Sequence, residues 1–461
     1  MRGNREVMTK QGSAQTLVIL GASGDLTARL LLPGLGALLA ADALPVTLIG
    51  AGMDDWDAAR WQERVATAFG EHGKAEAAAR TLDGTRYVRA DVTRAEDLRG
   101  LLDSADGEVS IFFALPPSVT VKACEALCEL GLPEGTRLVL EKPFGTSASS
   151  AASLNRLLTR LAPEERIHRV DHFLGKSTVL NILGLRFANR IFEPLLGSEH
   201  VESVDIVFDE QLALEGRAGY YDKAGALADM IQSHLLQILA LLTMEAPLSL
   251  DPRVFRDATA EALRATRLWA GDAKESSLRA RYAGYAEEPG VDPARETETL
   301  AEIVLAVDNW RWAGVPFRLR SGKALGTGRK EAVITFKAPP RIPDGFRGPD
   351  TPDRLRISFG PDRLALDFDI NGPGDPFVLD PVTLEAEFAP GELPPYGEVL
   401  RGVFENDPLL SVRGDTAEQC WRIVEPVTSA WRAGEVPLQE YAVGSSGPAG
   451  SLLTSGGDSP H

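Results

Sequence analysis

The sequence predicts two folds in series. A Rossmann-like, doubly wound parallel α/β sheet fills residues 16–175, and an α+β domain with a large antiparallel sheet fills 176–443. Three observations lead there. The first third alternates short apolar runs with helical stretches, the pattern of parallel crossover units. Beyond residue 176, several segments alternate apolar and polar residues, as half-buried antiparallel strands do. The chain also has 461 residues, more than one hydrophobic core usually organises. Residues 1–15 read as a flexible N-terminus, and the Gly- and Ser-rich 444–461 as a mobile tail.

Taken in order, "TLVIL" is the first buried strand, and "GASGDLTARLLLPGLGALL" supplies a glycine turn and then a helix. "VTLIG" is the second strand and "TRYVRADVT" the third. "VSIFFALPP" is the fourth, stopped by Pro116 and Pro117, and "TRLVLEKPFG" the fifth. In such a sheet, ligands sit beyond the carboxyl ends of the strands. Gly21 and Gly24 permit a tight turn there, and the following helix offers unpaired N–H groups to a phosphate. The spacing departs from G-x-G-x-x-G, so a loop that merely turns the chain stands beside the nucleotide reading. In the second part, "KSTVLNILGLRFANRIFEPLL" reads as a helix. "VESVDIVFDEQ", "EAVITFK", "DRLRISFG" and "RLALDFDI" read as strands.

Net charge is −18, with 66 acids against 48 bases. That disfavours nucleic acid and anionic membrane surfaces as partners. An anionic substrate would need a local basic pocket. Three cysteines without a paired framework suit a reducing compartment. Cys124 and Cys128 read as small buried residues, with a metal site as the alternative. The opening "MRGNREVMTKQGSAQ" has no apolar core of a signal peptide, and no apolar run reaches membrane-span length. The expected location is cytoplasmic.

Two polar intrusions into apolar sequence stand out. In "RVDHFLGKSTVLN", Asp171, His172 and Lys176 lie among Val170, Phe173 and Leu174 at the expected domain junction. Charge in an apolar frame is costly unless paired or used. In "GYYDKAGALADMIQSHLLQILALLTME", a helix apolar nearly all round carries Asp229 and His234. His234 shares a helical face with Met230 and Ile238. A satisfied core histidine and a site histidine are both open readings.

These residues carry a resemblance to the glucose-6-phosphate dehydrogenase family. "VILGASGDLTARLLLPGL" resembles its first strand and coenzyme turn, "LEKPFG" its EKPFG motif, and "RVDHFLGK" its substrate signature. "RFANRIFEPL", "RAGYYDKAGALADMIQSHLLQ", "NWRWAGVPFRLRSGK" and "YAVGSSGP" also match, so the likeness runs from about residue 16 to 455. It implies oxidation of D-glucose 6-phosphate to 6-phospho-D-glucono-1,5-lactone, the first step of the pentose phosphate pathway. NADP is the implied coenzyme, with NAD or dual use in view, and a homodimer built through the large sheet is the implied assembly. No metal is implied.

The resemblance also implies roles. His234 matches the general base and Asp171 the carboxylate that orients it. His172 and Lys176 match the phosphate site, with Asp171 and His172 pointing to opposite sides of a strand. Lys142 matches the lysine between coenzyme and substrate, and Pro143 a proline that tends to be cis. Glu210, Asp229 and Lys323 match positions that bind sugar hydroxyls or phosphate; without the family match, Lys323 reads as a solvated loop lysine. Gly21, Ala22, Ser23, Gly24, Asp25, Leu26, Met53, Asp91, Val92 and Lys142 match coenzyme positions.

Four positions depart from the family pattern. Phe173 replaces a frequent Tyr, Gly328 a lysine, and Leu30 a basic residue. Met53 stands where NADP-using relatives carry an Arg for the 2′-phosphate, followed by Asp54 and Asp55. Those carboxylates pull toward NAD, and Arg29 is the expected substitute cation. A dehydrogenase of another sugar and a non-catalytic regulatory paralogue are the alternative functions.

Overall fold

Six short segments of the first domain pair into one parallel sheet. They are β1 (Gln15–Leu20), β2 (Val46–Gly52), β3 (Arg86–Arg89), β4 (Glu108–Phe113), β5 (Arg137–Glu141) and β6 (Ile167–Val170). Their order is β3-β2-β1-β4-β5-β6, and every pair is parallel. The strand order reverses between β1 and β4, where this architecture opens its ligand crevice. The structure is a computed structural model describing residues 14–214, 218–348, 351–389, 391–450 and 452. Most of the expected N-terminal arm, residues 1–13, and much of the expected tail, 451 and 453–461, lie outside the described residues.

Strand β6 is one more than the sequence suggests, and its residues explain why. "IHRV" is half polar, yet all four residues are buried. The Arg169 guanidinium donates to Glu164 at 2.7 Å and to Asn155 at 2.8 Å. His168 Nδ1 lies 3.2 Å from the Ser411 hydroxyl. A strand that buries paired polar groups loses its apolar signature but not its stability.

The chain divides into two compact units. The first holds the described residues through Gly145, then Ala152–Gly175 and Glu392–Gly414. The second holds Thr146–Ala151, Lys176–Gly391 and the residues from Asp415 onward. One of the breaks falls between Gly175 and Lys176. The returning segment supplies the helix Pro395–Glu405, whose Tyr396, Val399, Leu400 and Val403 join the core around Leu31, Leu35 and Leu38.

The second unit is built on ten strands: β7 (Val201–Asp209), β8 (Thr266–Leu268), β9 (Ser277–Tyr282), β10 (Leu300–Val307), β11 (Pro316–Gly322), β12 (Arg329–Phe336), β13 (Arg354–Ser358), β14 (Arg363–Asn371), β15 (Leu379–Glu387) and β16 (Leu438–Tyr441). Their order is β15-β14-β13-β12-β7-β11-β10-β9-β16, with β8 on β10. Most neighbours are antiparallel, as expected, but β7–β11 and β9–β16 are parallel. The sheet is therefore mixed, because the long excursion between β7 and β11 returns the chain in the same direction.

That excursion contains the apolar helix. It is π-helical over Leu227–Leu235 and α-helical over Leu236–Thr243. Both ends are tied. Gly225 enters at φ +70°, and a Cβ there would fall 2.3 Å from the Glu298 carboxylate. That carboxylate accepts the Leu227 N–H at 3.0 Å, and burial pushes its pKa up to about 7. At the other end, Arg186 donates to the carbonyls of Leu241 and Met244 at 2.8 Å each. A carboxyl group at the start and a guanidinium at the finish match the helix dipole. Among the described residues, no helix is long and apolar enough to cross a membrane.

Candidate active site

In the first unit the glycine turn follows β1 directly. Gly21 sits at φ +85°, and a Cβ there would meet the Ala114 carbonyl at 2.3 Å, so only glycine fits. The N–H groups of Gly21 and Ala22 both bond the Ala51 carbonyl, at 2.8 and 3.0 Å. Ser23, Gly24, Asp25 and Leu26 lead from this pinned corner into the helix. A tight corner at the carboxyl end of β1 followed by a helix start fits the phosphates of a dinucleotide.

The neighbouring strand ends complete this region. Met53, just past β2, is 69% exposed. Asp54 accepts a hydrogen bond from the Ser23 hydroxyl, and Asp55 pairs with Arg89 at 3.3 Å. Past β3, the Asp91 carboxylate accepts the Thr93 hydroxyl at 2.7 Å and the Thr93 N–H at 3.0 Å. Those bonds hold its pKa below the usual carboxylate range. Val92 beside it is buried. Arg29, the expected substitute cation, is exposed and pairs with Asp25 at 3.3 Å.

Strands β5 and β6 run parallel, with Glu141 opposite Val170. The residues that follow, Lys142 and Asp171, therefore leave the sheet side by side. The Lys142–Pro143 peptide is cis, as the family resemblance implies. Glu141 behind them is half-buried, and desolvation pushes its carboxyl up to about 8 against a hydrogen bond from Tyr396. The expected alternation of Asp171 and His172 along a strand does not hold, because β6 ends at Val170. Both lie in a turn. The Asp171 carboxylate, 2% exposed, accepts the Phe173 N–H at 2.9 Å, and its carbonyl accepts the Leu174 N–H at 3.0 Å. An Asx turn thus fixes Asp171 where strand geometry was expected to. His172 is half-buried, stacked on Tyr396 at 6.0 Å.

The second unit repeats the device. Strands β7 and β11 run parallel, with Asp209 opposite Gly322. The next residues, Glu210 and Lys323, emerge together and form an ion pair. The Tyr441 hydroxyl donates to the Lys323 carbonyl at 2.7 Å, which pins the loop that would otherwise read as solvated. Asp229 and His234 lie on the π-helical turn. In an α-helix, residues five apart point about 140° apart; i→i+5 bonding brings them toward one edge. His234 is 1% exposed and Asp229 half-buried. Lys176 caps the helix Ser177–Phe187, its ammonium 5.5 Å from the Phe208 ring centroid.

Two residues here escape a reading of the sequence. Lys330 pairs across the sheet with Phe208 and places its own ammonium 4.8 Å from the same ring. It stands two positions past Gly328, where the family lysine is missing. Tyr221 is buried beneath the Lys323 ammonium at 5.9 Å, and its hydroxyl makes no hydrogen bond among the described residues. Burial and the nearby Asp229 push that hydroxyl's pKa up. The doubled Tyr of "GYYDK" was the only available signal.

Comparison with known proteins decides the family. Residues 18–181 match "Glucose-6-phosphate dehydrogenase, NAD binding domain" and residues 183–456 match "Glucose-6-phosphate dehydrogenase, C-terminal domain". The chain belongs to the glucose-6-phosphate dehydrogenase family. A glucose-6-phosphate 1-dehydrogenase of Gluconobacter oxydans is 38% identical, covering 96% of this chain and 97% of its own length. One from Treponema pallidum is 35% identical, covering 94% and 92%. The solved Mycobacterium avium glucose-6-phosphate 1-dehydrogenase superposes with a TM-score of 0.84 at 32% identity, covering 95% of each chain. A glucose-6-phosphate dehydrogenase solved with glucose 6-phosphate gives 0.85 at 28% identity, covering 95% and 96%. The family is one of oxidoreductases, and its first domain serves a nicotinamide cofactor.

Proposed function

We propose that this protein oxidises D-glucose 6-phosphate at C1 to 6-phospho-D-glucono-1,5-lactone, the first step of the pentose phosphate pathway. The observation that carries the reading is His234: a titratable imidazole, 1% exposed, on a largely apolar helix tied at both ends. Such burial is costly for a group that must change charge unless the change is used. A bound nicotinamide supplies the hydride acceptor. His234 takes the proton of the C1 hydroxyl as the hydride departs. Asp171 holds the imidazole in one tautomer and favours its protonated form. Glu210, Lys323 and Asp229 bind sugar hydroxyls. Lys176, Lys330 and His172 receive the phosphate, and Lys142 stands between sugar and coenzyme. The Gly21–Leu26 turn holds the dinucleotide phosphates. Purified protein should turn over glucose 6-phosphate far faster than free glucose; equal turnover, or none with either coenzyme, would overturn the reading.

The coenzyme is NAD at least as readily as NADP. Met53 offers a 2′-phosphate no donor, and Asp54 sits against the turn that carries the adenosine end. A carboxylate there bonds a free ribose hydroxyl and repels a phosphate. Met53→Arg, preferably with Asp54→Ser, should shift the kcat/KM ratio toward NADP by roughly one to two decades, the worth of a new Arg–phosphate contact. Steady-state kinetics with both coenzymes check this. A native preference for NADP of about a hundredfold, unchanged in the variant, would contradict it. The reading extends to a homodimer through the large sheet and a cytoplasmic location, which three free thiols suit.

A further inference from the structure

We propose that Arg64 reads the 2′-phosphate of NADP in this chain, so that NADP is retained as a second coenzyme despite Met53. The proposal rests on the dinucleotide reading of the turn. Among the described residues, the cationic side chains near the ends of β1, β2 and β3 include Arg29, Arg60, Arg64, Arg89 and Arg94. Three are paired with carboxylates: Arg29 with Asp25 at 3.3 Å, Arg89 with Asp55 at 3.3 Å and Arg94 with Glu96 at 3.2 Å. Arg60 and Arg64 have no carboxylate partner among the described residues. Both guanidiniums lie over the Trp56 ring, 4.7 and 4.8 Å from its centroid. Trp56 is itself braced by Tyr87, 5.6 Å between ring centroids. Stacking fixes the plane of a guanidinium and leaves its N–H edge available, the geometry that suits a phosphate.

Position separates the two. Arg60 is exposed, and beyond its stacking on Trp56 it bonds a side chain only through its backbone N–H, to Asp57 at 2.8 Å. Arg64 is half-buried, and its Nη1 donates to the Ser23 carbonyl in the coenzyme turn at 3.4 Å. The hydroxyl of that same Ser23 donates to Asp54, the residue after Met53. One serine thus links a guanidinium and a carboxylate at the end of β2, where this architecture places the ribose 2′ position. Asp54 suits a free hydroxyl there and Arg64 a phosphate.

The test is calorimetric titration of the full-length protein with 2′,5′-ADP and with 5′-AMP, which differ only in the 2′-phosphate. Arg64→Gln should weaken 2′,5′-ADP by about tenfold or more while changing 5′-AMP by less than about threefold. Arg64→Lys, which keeps the charge but loses the fork, should fall between. Arg29→Gln should leave both probes unchanged. Equal losses on both probes would make Arg64 a structural residue and overturn the proposal. So would unchanged 2′,5′-ADP binding in both Arg64 variants, or a wild-type protein that binds neither probe. Activity is read separately: absent oxidation of glucose 6-phosphate with either coenzyme would sink the reaction assignment and leave the binding result standing.

Discussion

Replacing His234 with alanine should lower kcat by about 10²-fold or more with little change in KM for glucose 6-phosphate, because general-base assistance typically contributes 10²–10⁴-fold. The side chain lies on a helix whose neighbours Met230, Ile231 and Leu235 are buried and apolar, so few other groups of that helix can take the proton. Asp171→Asn should give a weaker version of the same loss. It should also lower the apparent pKa of the base, since a nearby carboxylate favours the imidazolium. The pH–rate profile separates that effect from a general loss of folding. A folded His234→Ala protein with near-normal turnover would remove His234 from the mechanism.

Lys176→Ala should raise KM for glucose 6-phosphate by about 10- to 150-fold, the equivalent of roughly 1.5–3 kcal/mol for a charge-assisted bond to phosphate. KM for the coenzyme and any activity on free glucose should hardly move. Lys330→Ala should act in the same direction, because its ammonium shares the Phe208 ring with that of Lys176. Loss on both sugars alike would show that Lys176 supports the fold instead.

Much of the proposed site was legible because its residues break the pattern around them. Asp171, His172 and His234 are polar in apolar sequence, and their spacing within "RVDHFLGK" and "ADMIQSHLLQ" is fixed by short local structure. What was illegible depended on non-local pairing. The approach of Arg64 to Ser23 spans 41 residues and arises only when the helix Ala58–Phe69 packs beside the turn. Lys330 is brought to Phe208 by antiparallel register alone. Strand β6 hid because its polarity is satisfied by Glu164, Asn155 and Ser411. The π-helical turn leaves no mark in a periodicity of 3.6, so the alignment of Asp229 with His234 needed the structure. The mixed character of the second sheet follows from chain direction, which alternation along a strand does not encode.

The two parallel strand pairs, β5 with β6 and β7 with β11, act as rulers. Each delivers one lysine and one carboxylate to the same height, Lys142 with Asp171 and Lys323 with Glu210, and neither pair needs a loop to measure the distance. Substitutions on the strands leave such a ruler intact, whereas a change of length does not. Deleting one residue from β11 would draw Lys323 back by about one strand step, roughly 3.3 Å, and turn it to the opposite face. Within these strands, chemistry is thus tolerant of spelling and intolerant of counting.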